Sequence, residues 1–478
     1  MNGRKVFFKR IIDYHETKLY ESDLKPDNEQ LDIGIRDKIY LDYDNVDISK
    51  IHNNNDEFNT ILKNVSKYKL KKNKRGENAP INNLENEILT KKMEKLTQFI
   101  AKSVATTIYF ISKTGYLYFW NDDDYNRGDV FFIPKDKMKQ LTPLNSRCLI
   151  NCDNRLKVLT RYIRDVYINP IFENNRVDTK IHRVKNCVVK CLVGKKTKFK
   201  LCFESIANIA NIIHTTKHKY LILDLSNAFN NVTYTFMYKV LEEYLVISDK
   251  EEKTNVCRGL IKLISEMKYY CQHSKNKIRR NKGVPQGSSI SVDLFVLCMD
   301  YIIKKLIIKL RETLNIEYNI DYELVVYGDD ILILIKTPKF ENNINPIMDI
   351  FVKTFQKYHF KMNPKKSKKS AGLPNCDFEK VKPKDKYLGL YFETDVHKYL
   401  AIIEKEIQKR WKRDPRMKDI LTIEQNLKEN KYTVRQTMSI RGKLQYRMRP
   451  FAKNIKERYQ LFDKLGYPNI AKSLFEVK

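Results

Sequence analysis

Two adjacent aspartates, Asp329 and Asp330, interrupt the most apolar stretch of the sequence, ELVVYGDDILILI. The apolar residues on either side predict two strands, and the segment between them predicts a tight turn. Carboxylates at the end of a buried hairpin are unfavourable unless a cation neutralises them. Phosphoryl transfer supplies such a cation, since two Mg²⁺ ions roughly 3.5–4 Å apart stabilise its attacking and leaving oxygens. A plain acidic turn is the alternative for this motif alone.

A third aspartate, Asp224, ends another apolar strand in the segment LILDLSNAF. A two-metal site needs carboxylates from separate backbone segments. Asp329 follows Asp224 by 105 positions, which leaves room for helices before the chain returns to the same sheet. We therefore predict that Asp224, Asp329 and Asp330 meet in the fold and hold catalytic metal ions.

The segment GVPQGSSIS, residues 283–291, lies between these two acidic motifs. Its proline and two glycines predict a tight loop whose backbone can approach a ligand closely. Gln286 and the serines offer polar contacts to a templating nucleotide. The alternative is a loop that caps the following helix, with Ser289 or Ser291 as the N-cap residue. One loop can serve both purposes.

Hydrophobic periodicity predicts further helices and strands along the chain. Helices are expected over 83–105, 205–216, 227–244, 291–310 and 352–360, and through about the last 75 residues. Strands are expected at YLILDLS and YLGLYF, in a hairpin over Cys187–Phe203, and in an antiparallel meander of TIYFIS, GYLYFW and DVFFIP.

The chain carries 90 Lys and Arg residues against 58 Asp and Glu residues, a formal net charge of +32. This excess favours a polyanionic partner such as a nucleic acid, with a generally Lys-rich composition as the alternative. No run of 18 apolar residues and no signal-peptide pattern occurs, which predicts an intracellular, cytoplasmic protein that does not bind membranes. The Cys-x3-Cys pairs Cys148/Cys152 and Cys187/Cys191 predict buried free thiols, with a metal site near His182 as the alternative.

The order LILDLSNAF, GVPQGSSIS, YGDD, MNPKKSK and YLGLYF resembles the palm and early thumb of reverse transcriptases over about Tyr220–Phe392. The resemblance implies an α+β right-hand polymerase fold, in which the palm is an antiparallel sheet packed on helices. The expected domains are an N-terminal extension over 1–105, a fingers region over 106–219, a palm over 220–392 that includes part of the fingers, and a helical thumb over 393–478.

The same resemblance implies roles for individual residues. Asp224 and Asp329 would be the main metal ligands, and Asp330 a supporting one. Tyr327, Gly328 and Gly287, with Leu388 and Gly389 as the primer-grip turn, would contact primer and template. The resemblance places Gln286, Phe229 and Lys366 near the incoming nucleotide, where Lys366 follows Asn363 in the same motif. It also places there Lys198 and Lys200 of the Cys187–Phe203 hairpin. Solvated lysines on an exposed hairpin are the alternative for the last two.

Phe229, five positions after Asp224, separates two classes of polymerase. By resemblance, an aromatic ring at this position excludes a 2′-hydroxyl and selects deoxynucleotides, whereas RNA-dependent RNA polymerases usually carry an Asp there. A core aromatic is the alternative. Two features depart from the reverse transcriptase pattern: YGDD is more typical of RNA-dependent RNA polymerases, and Val292 stands where a proline often follows the loop.

The implied activity is RNA-directed DNA synthesis with two Mg²⁺ ions, or Mn²⁺ in their place. The implied partners are an RNA template, a DNA or RNA primer and deoxynucleoside triphosphates, and the oligomeric state stays open. About 25 residues follow Phe451, too few for an RNase H domain. The alternatives are an RNA-dependent RNA polymerase or template-independent polymerase on the same palm, and a non-catalytic basic nucleic-acid-binding protein.

Overall fold

The computed structural model contains two compact units made of interleaved chain segments. It describes residues 55–68, 83–115, 127–134, 140–142, 146–174, 219–265, 268–271, 277–278, 282–373, 378–410, 415–452 and 454–476. The first unit holds the described residues up to 174, with Asn227–Ile302 and Lys357–Phe360. The second holds residues 219–226, Ile303–Gln356 and the described residues from Lys361 onward.

Helices and a four-stranded sheet make up the first unit. Its helices are α1 (Asp56–Val65), α2 (Asn83–Thr114), α3 (Asn154–Ile163), α4 (Asn169–Glu173), α5 (Ala228–Asn231), α6 (Tyr234–Tyr244), α7 (Lys250–Ser265) and the first half of α8 (Ser291–Leu314). A π-helical turn, Arg164–Ile168, joins α3 to α4. The strands β1 (Arg127–Pro134), β2 (Ser146–Cys152), β4 (Lys268–Cys271) and β5 (Lys277–Ile278) lie in the order β2-β1-β4-β5.

Helix α2 corrects part of the predicted meander, because it continues through TIYFIS, which was expected to be a strand. The hydroxyls of Thr106 and Thr107 donate to the backbone carbonyls four residues earlier, so these β-branched residues are accommodated in the helix. On α7, Gly259 lets the two helices approach, since a Cβ there would lie 2.7 Å from Ile111 Cγ2. Tertiary packing thus overrides strand propensity. The strand DVFFIP does form, as β1, and pairs with β2.

The boundary predicted at residue 105 falls inside α2. Helix α1 packs on the same helix, where the Phe58 and Tyr109 rings meet edge to face with centroids 6.5 Å apart. Asn55 Nδ2 also donates to Tyr109 Oη at 3.0 Å. The described part of the predicted extension therefore packs directly on the helix that enters the predicted fingers region.

A six-stranded sheet forms the centre of the second unit. Its strands are β3 (Lys219–Ser226), β6 (Tyr322–Tyr327), β7 (Asp330–Ile335), β8 (Lys361–Met362), β9 (Lys368–Lys369) and β10 (Glu379–Lys380), in the order β10-β9-β3-β7-β6 with β8 also on β3. Strand β7 pairs antiparallel with β3 on one side and with β6 on the other. The helices α9 (Pro338–Asn342) and α10 (Ile344–Lys357) follow β7 in sequence.

The C-terminal part of the second unit is helical, as predicted. Its helices are α11 (Val396–Arg410), α12 (Ile420–Lys428), α13 (Val434–Arg447), α14 (Ile455–Lys464) and α15 (Pro468–Ile470), with a 3₁₀ turn at Pro415–Met417 and a π-helical turn at Ala471–Phe475. Their buried residues, among them Tyr399, Ile403, Leu444 and Phe462, form one hydrophobic cluster. Burial of this apolar surface holds the helices together.

Several predicted boundaries change. The predicted helix over 227–244 is divided into α5 and α6, because the Thr233 side chain accepts from Phe236 N and caps a new helix. The predicted helix over 352–360 is wrong at both ends: α10 begins at Ile344 and stops at Lys357, and His359 follows with a φ of 65°. The expected strand at YLGLYF is instead a hairpin of β11 (Lys386–Tyr387) and β12 (Leu390–Tyr391).

The segment GYLYFW after Gly115, the Cys187–Phe203 hairpin with Lys198 and Lys200, and the helix over 205–216 lie outside the described residues. The mixed α+β class is confirmed by the helices and sheets above. Among the described helices, none combines the length and apolar character needed to cross a membrane.

Candidate active site

The YGDD segment forms the tight hairpin turn between β6 and β7. Tyr327 and Asp330 are paired across the two strands, which leaves Gly328 and Asp329 as the two central residues. Gly328 has a φ of 65°, the left-handed value that the first central residue of a type I′ or II′ turn requires. A Cβ at this position would meet nothing within 4 Å. The backbone conformation, not a crowded neighbour, therefore requires the glycine, and the end of the hairpin is open.

Asp224 lies directly opposite Asp330 in the antiparallel pairing of β3 with β7. Residues paired in this way present their side chains on the same face of a sheet, and like charges there are destabilising. The Asp224 side chain is only 28% exposed. Its Oδ2 atom is buried and accepts no hydrogen bond from the described residues. The arrangement therefore has the charge and the unsatisfied oxygen that a bound cation would stabilise.

The environment of Asp224 also disfavours its charged form in the metal-free protein. Burial raises the pKa of the Asp224 carboxyl above its ordinary value, although the Lys366 ammonium and the Asn363 side chain act in the opposite direction. Lys366 Nζ lies 3.6 Å from Asp224 Oδ2, and its side chain is 68% exposed. Because exposed lysines are strongly hydrated, this single cation does not fully compensate the burial.

Hydrogen bonds join the NPKKS motif, residues 363–367, to the backbone of Asp224. Asn363 N donates to Asp224 O at 2.8 Å, and Asp224 N donates to Ser367 Oγ at 3.2 Å. Ser367 is fully buried, and its hydroxyl donates to Asn363 O at 2.9 Å. These bonds hold Lys366 beside Asp224. Ser367 was not among the predicted site residues, although it directly follows Lys366 in the motif.

Asp224, Asp329 and Asp330 are the predicted ligands of the catalytic metal ions. Within the described ranges, no three His, Cys, Asp or Glu side chains are grouped closely enough to form a metal site. The backbone pairs Asp224 with Asp330 and places Asp329 in the adjoining turn, but the three carboxylates are not gathered. The donor chemistry nevertheless fits a hard cation, because carboxylate oxygens are the ligands that Mg²⁺ prefers.

Four cysteines of the described segments form no disulfide bond: Cys148, which is partly exposed, and the buried Cys152, Cys257 and Cys298. Burial raises the pKa of Cys152 to about 11, so its thiol stays protonated at neutral pH. A protonated, buried thiol is a poor metal ligand. Cys187, Cys191 and His182 lie outside the described residues.

The GVPQGSSIS loop packs against β2 in the first unit. Ile150 N donates to Gln286 O at 2.9 Å. Gly287 has a φ of 116°, and a Cβ there would lie 2.3 Å from Ile150 O, so only glycine fits. The Gln286 side chain is partly exposed and remains available for a ligand.

The serines of this loop do not act as the predicted N-caps. Ser289 Oγ and Thr160 Oγ1 are hydrogen-bonded at 2.7 Å, and the Ser291 hydroxyl donates to Pro285 O. The Ser289 hydroxyl therefore holds the loop against α3, and the Ser291 hydroxyl links the two ends of the loop.

Phe229 lies in the first unit on the short helix α5. Its ring stacks on the fully buried Phe295 of α8, with centroids 4.0 Å apart and an interplanar angle of 14°. Its carbonyl accepts a hydrogen bond from Val284 N at 2.8 Å. Phe229 is half-buried as a residue, and the stack on Phe295 fixes the position of its ring.

Leu388 and Gly389 form the turn between β11 and β12, with φ values of 49° and 79°. Two successive positive values are typical of a type I′ turn, in which a leucine is unusual. The Tyr446 hydroxyl donates to Leu388 O. A Cβ at Gly389 would lie 3.0 Å from Arg447 Nη1. The turn is therefore packed against α13.

Tyr387, just before this turn, packs on the face of the sheet that also carries Asp224 and Asp330. Its side chain is buried in a small cluster with Ile222, Val325 and Leu332. Burial raises the pKa of Tyr387 well above its ordinary value, and the Asp330 charge adds to the shift. The second unit thus contains Asp224, Asp329, Asp330, Lys366, Tyr327, Gly328, Leu388 and Gly389, and the first unit contains Phe229, Gln286 and Gly287.

Comparison with known proteins gives one strong match. The family model described as reverse transcriptase (RNA-dependent DNA polymerase) matches residues 136–392, more than half of the chain. No protein among the curated sequences is significantly similar to the chain.

Solved telomerase structures show a weaker likeness. Apo telomerase of Candida tropicalis truncated from its C-terminal domain has 13% identity and a TM-score of 0.36, with 65% of this chain and 66% of that chain covered. Apo telomerase of Candida tropicalis has 11% identity and a TM-score of 0.36, with 83% and 77% covered. Telomerase of Candida albicans in complex with a fragment of telomeric RNA has 11% identity and a TM-score of 0.36, with 73% and 58% covered. Likenesses this weak carry no argument about the fold or the substrate.

The family match is the finding that identifies the class of protein. Reverse transcriptases generally depend on divalent metal ions. The chain belongs to the reverse transcriptase family and is a nucleotidyltransferase of the reverse-transcriptase type.

Proposed function

We propose that the chain extends the 3′-hydroxyl of a DNA or RNA primer with deoxynucleotides, directed by an RNA template. The observation that carries the proposal is the direct pairing of Asp224 with Asp330 at the open end of the YGDD hairpin. In the reaction, the primer 3′-oxygen forms a bond to the α-phosphorus of a deoxynucleoside triphosphate. The bond to pyrophosphate breaks, in line with the attack.

Asp224, Asp329 and Asp330 would hold two Mg²⁺ ions, or Mn²⁺ in their place. The buried Oδ2 atom of Asp224 and the pairing of Asp224 with Asp330 on one face of the sheet support this assignment. When bound, such ions supply charge stabilisation for the attacking and leaving oxygens. The assignment requires the Asp329 carboxylate to join the other two. No protein nucleophile is needed, and no general base is assigned.

The other site residues bind and orient the substrates. Lys366 would contact the triphosphate, since its exposed ammonium is already held near Asp224. Gln286 would contact the templating nucleotide from a loop that Gly287 holds against β2. Tyr327 and Gly328, with the Leu388–Gly389 turn, would place the primer end. Lys198 and Lys200 remain predicted triphosphate contacts.

Phe229 would exclude ribonucleotides by filling the space of a 2′-hydroxyl. Its stacking on buried Phe295 supports this role, because a rigid ring excludes an additional group better than a mobile one. An RNA polymerase on the same palm, as the YGDD sequence also allows, would accept ribonucleotides instead.

Primer extension tests the proposal directly. RNA and DNA templates are compared, each with deoxynucleotides or ribonucleotides, and a reaction without template is included. We expect Mg²⁺-dependent synthesis with deoxynucleotides on RNA, abolished in Asp329→Asn and retained in Asp349→Asn, an exposed position on α10. Extension with ribonucleotides alone, or without template, would assign one of the alternative polymerase activities. Salt-sensitive nucleic-acid binding without any extension would indicate a non-catalytic binding protein.

A further inference from the structure

Glu406, on α11, lies at the centre of a cluster of cationic side chains between the β11–β12 hairpin and α13. Glu406 Oε1 accepts from Arg447 Nη2 at 3.1 Å and also from Lys386 Nζ. Lys443 Nζ lies 3.8 Å from Glu406 Oε2. Tyr391 hydrogen-bonds to the same carboxylate. We name these five residues, Glu406, Lys386, Tyr391, Lys443 and Arg447, the Glu406 cluster.

The Glu406 carboxylate is the acidic group on which three cations converge. The side chains of Glu406, Lys443 and Arg447 are 19%, 18% and 15% exposed, so solvent screens these charges only partly. Burial alone would raise the pKa of Glu406, but hydrogen bonds from Lys386 and Tyr391 and the Arg447 charge lower it to about 2. Glu406 therefore stays charged at every pH at which the protein would work.

The cations of this cluster also stack on the hairpin. Lys386 Nζ lies 4.6 Å and Arg447 Cζ lies 5.5 Å from the centroid of the Tyr391 ring. Both distances fall in the range of cation–π contacts. Without the carboxylate, these two cations would repel each other across the ring.

Helix α13 contacts the Leu388–Gly389 turn through two consecutive residues. Tyr446 donates its hydroxyl to Leu388 O, and Arg447 fills the space beside Gly389. Because Arg447 is itself held by Glu406, a shift of this helix would shift the turn.

We infer that Glu406 is a positioning residue that holds the Leu388–Gly389 turn, and through it the primer end, at a fixed place against α13. The inference rests on the proposed function, in which this turn contacts the primer. Glu406 does not touch the reacting atoms. Its loss would displace the primer end, which weakens primer binding and slows the attack of the 3′-oxygen.

The test compares Glu406→Gln with the matched variant Glu404→Gln. Glu404 lies on the same helix and accepts from Ile420 N, away from the hairpin, and an amide oxygen preserves that bond. Both changes remove one negative charge, which by simple electrostatics strengthens nucleic-acid binding. Positioning predicts the opposite sign for Glu406→Gln alone: the Kd for primer–template rises about tenfold, and kcat at saturating primer–template also falls, because the displaced primer end is no longer in line for attack.

Fluorescence anisotropy measures the Kd, and single-nucleotide extension measures kcat and KM. Parent extension is established first, so that a failure of the proposed function is recognised before any variant is compared. If Glu406→Gln fails to fold, Lys386→Met is compared with Lys384→Met, which removes the same charge at an exposed position. Positioning predicts a clearly larger rise in the primer–template Kd for Lys386→Met, and equal rises would overturn the inference. A Kd for the folded variant within about twofold of the parent, or equal losses in both glutamate variants, would overturn the inference.

Discussion

Lys366 Nζ lies 3.6 Å from Asp224 Oδ2, so the ammonium of an exposed lysine lies beside the buried oxygen that is proposed as a metal ligand. The lysine and a divalent cation cannot both neutralise this oxygen without repelling each other. Lys366 therefore acts in two ways in the proposed function. It stabilises Asp224 while the metal is absent, and it moves toward the triphosphate once the metal and nucleotide bind.

Replacing Lys366 by Met is expected to tighten Mg²⁺ binding in the absence of nucleotide by roughly three- to tenfold, since a repulsion between partly exposed charges is about 1 kcal/mol. The KM for deoxynucleotides should rise in the same variant. Isothermal titration with Mg²⁺ alone measures the first effect. Lys365→Met, at the exposed neighbouring position, is the control and should leave both quantities unchanged. Weaker Mg²⁺ binding in Lys366→Met would refute a competition between Lys366 and Mg²⁺ for Asp224.

Phe229→Val is expected to raise the efficiency of ribonucleotide incorporation at least tenfold relative to deoxynucleotides, because the ring no longer fills the 2′ space. The change also removes the stack on Phe295 and should lower the free energy of unfolding by about 1–3 kcal/mol. Extension is therefore measured well below the midpoint of thermal unfolding. Phe229→Tyr, which keeps the ring, should retain the selectivity. Unchanged sugar discrimination in Phe229→Val would remove this residue from the site.

Three elements with clear sequence signals were predicted correctly by local reasoning. The YGDD hairpin was predictable because two apolar runs flank a glycine that tolerates positive φ. Helix α8 was predictable from a long periodic pattern that follows the loop. Strand β3, which carries Asp224, was predictable for the same kind of reason.

The errors arise where distant residues decide the structure. TIYFIS has the β-branched and aromatic composition of a strand, but it is helical because it packs on Gly259 of α7. Ser367 and Glu406 were missed because their partners, the Asp224 backbone and the Lys386 and Arg447 side chains, are far away or unremarkable in the sequence. No periodicity in a single chain reports such contacts.

Leu388→Asn tests whether the strained turn is kept for function. A leucine at positive φ costs about 1–2 kcal/mol, whereas asparagine adopts this conformation readily. Some packing of the half-buried leucine is lost, so we expect thermal stability to be maintained or to rise slightly, while primer extension falls. Differential scanning calorimetry and primer–template titration provide the two readouts. A clear drop in the unfolding temperature would show that the leucine serves packing instead.

Acid unfolding should report the charge of Glu406. Its folded pKa of about 2 lies below the ordinary value of 4.5, so its contribution is complete above about pH 5 and disappears as the pH falls toward 2. The contribution is on the order of 3 kcal/mol. Urea unfolding between pH 7 and 3 is compared for the parent and Glu406→Gln. The difference in unfolding free energy between the parent and Glu406→Gln should be constant above about pH 5 and should shrink as the pH falls below that value. A difference that does not depend on pH would contradict the role of the charge.

Asp224 and Asp330, paired across β3 and β7, are proposed to hold divalent cations together with Asp329. Mn²⁺ binding followed by electron paramagnetic resonance tests this assignment without any need for catalysis. We predict that Asp224→Asn and Asp330→Asn each weaken Mn²⁺ binding by at least about tenfold, with Asp349→Asn unchanged. Mn²⁺ affinities equal to that of the parent in both site variants would contradict the assignment of Asp224 and Asp330 as metal ligands.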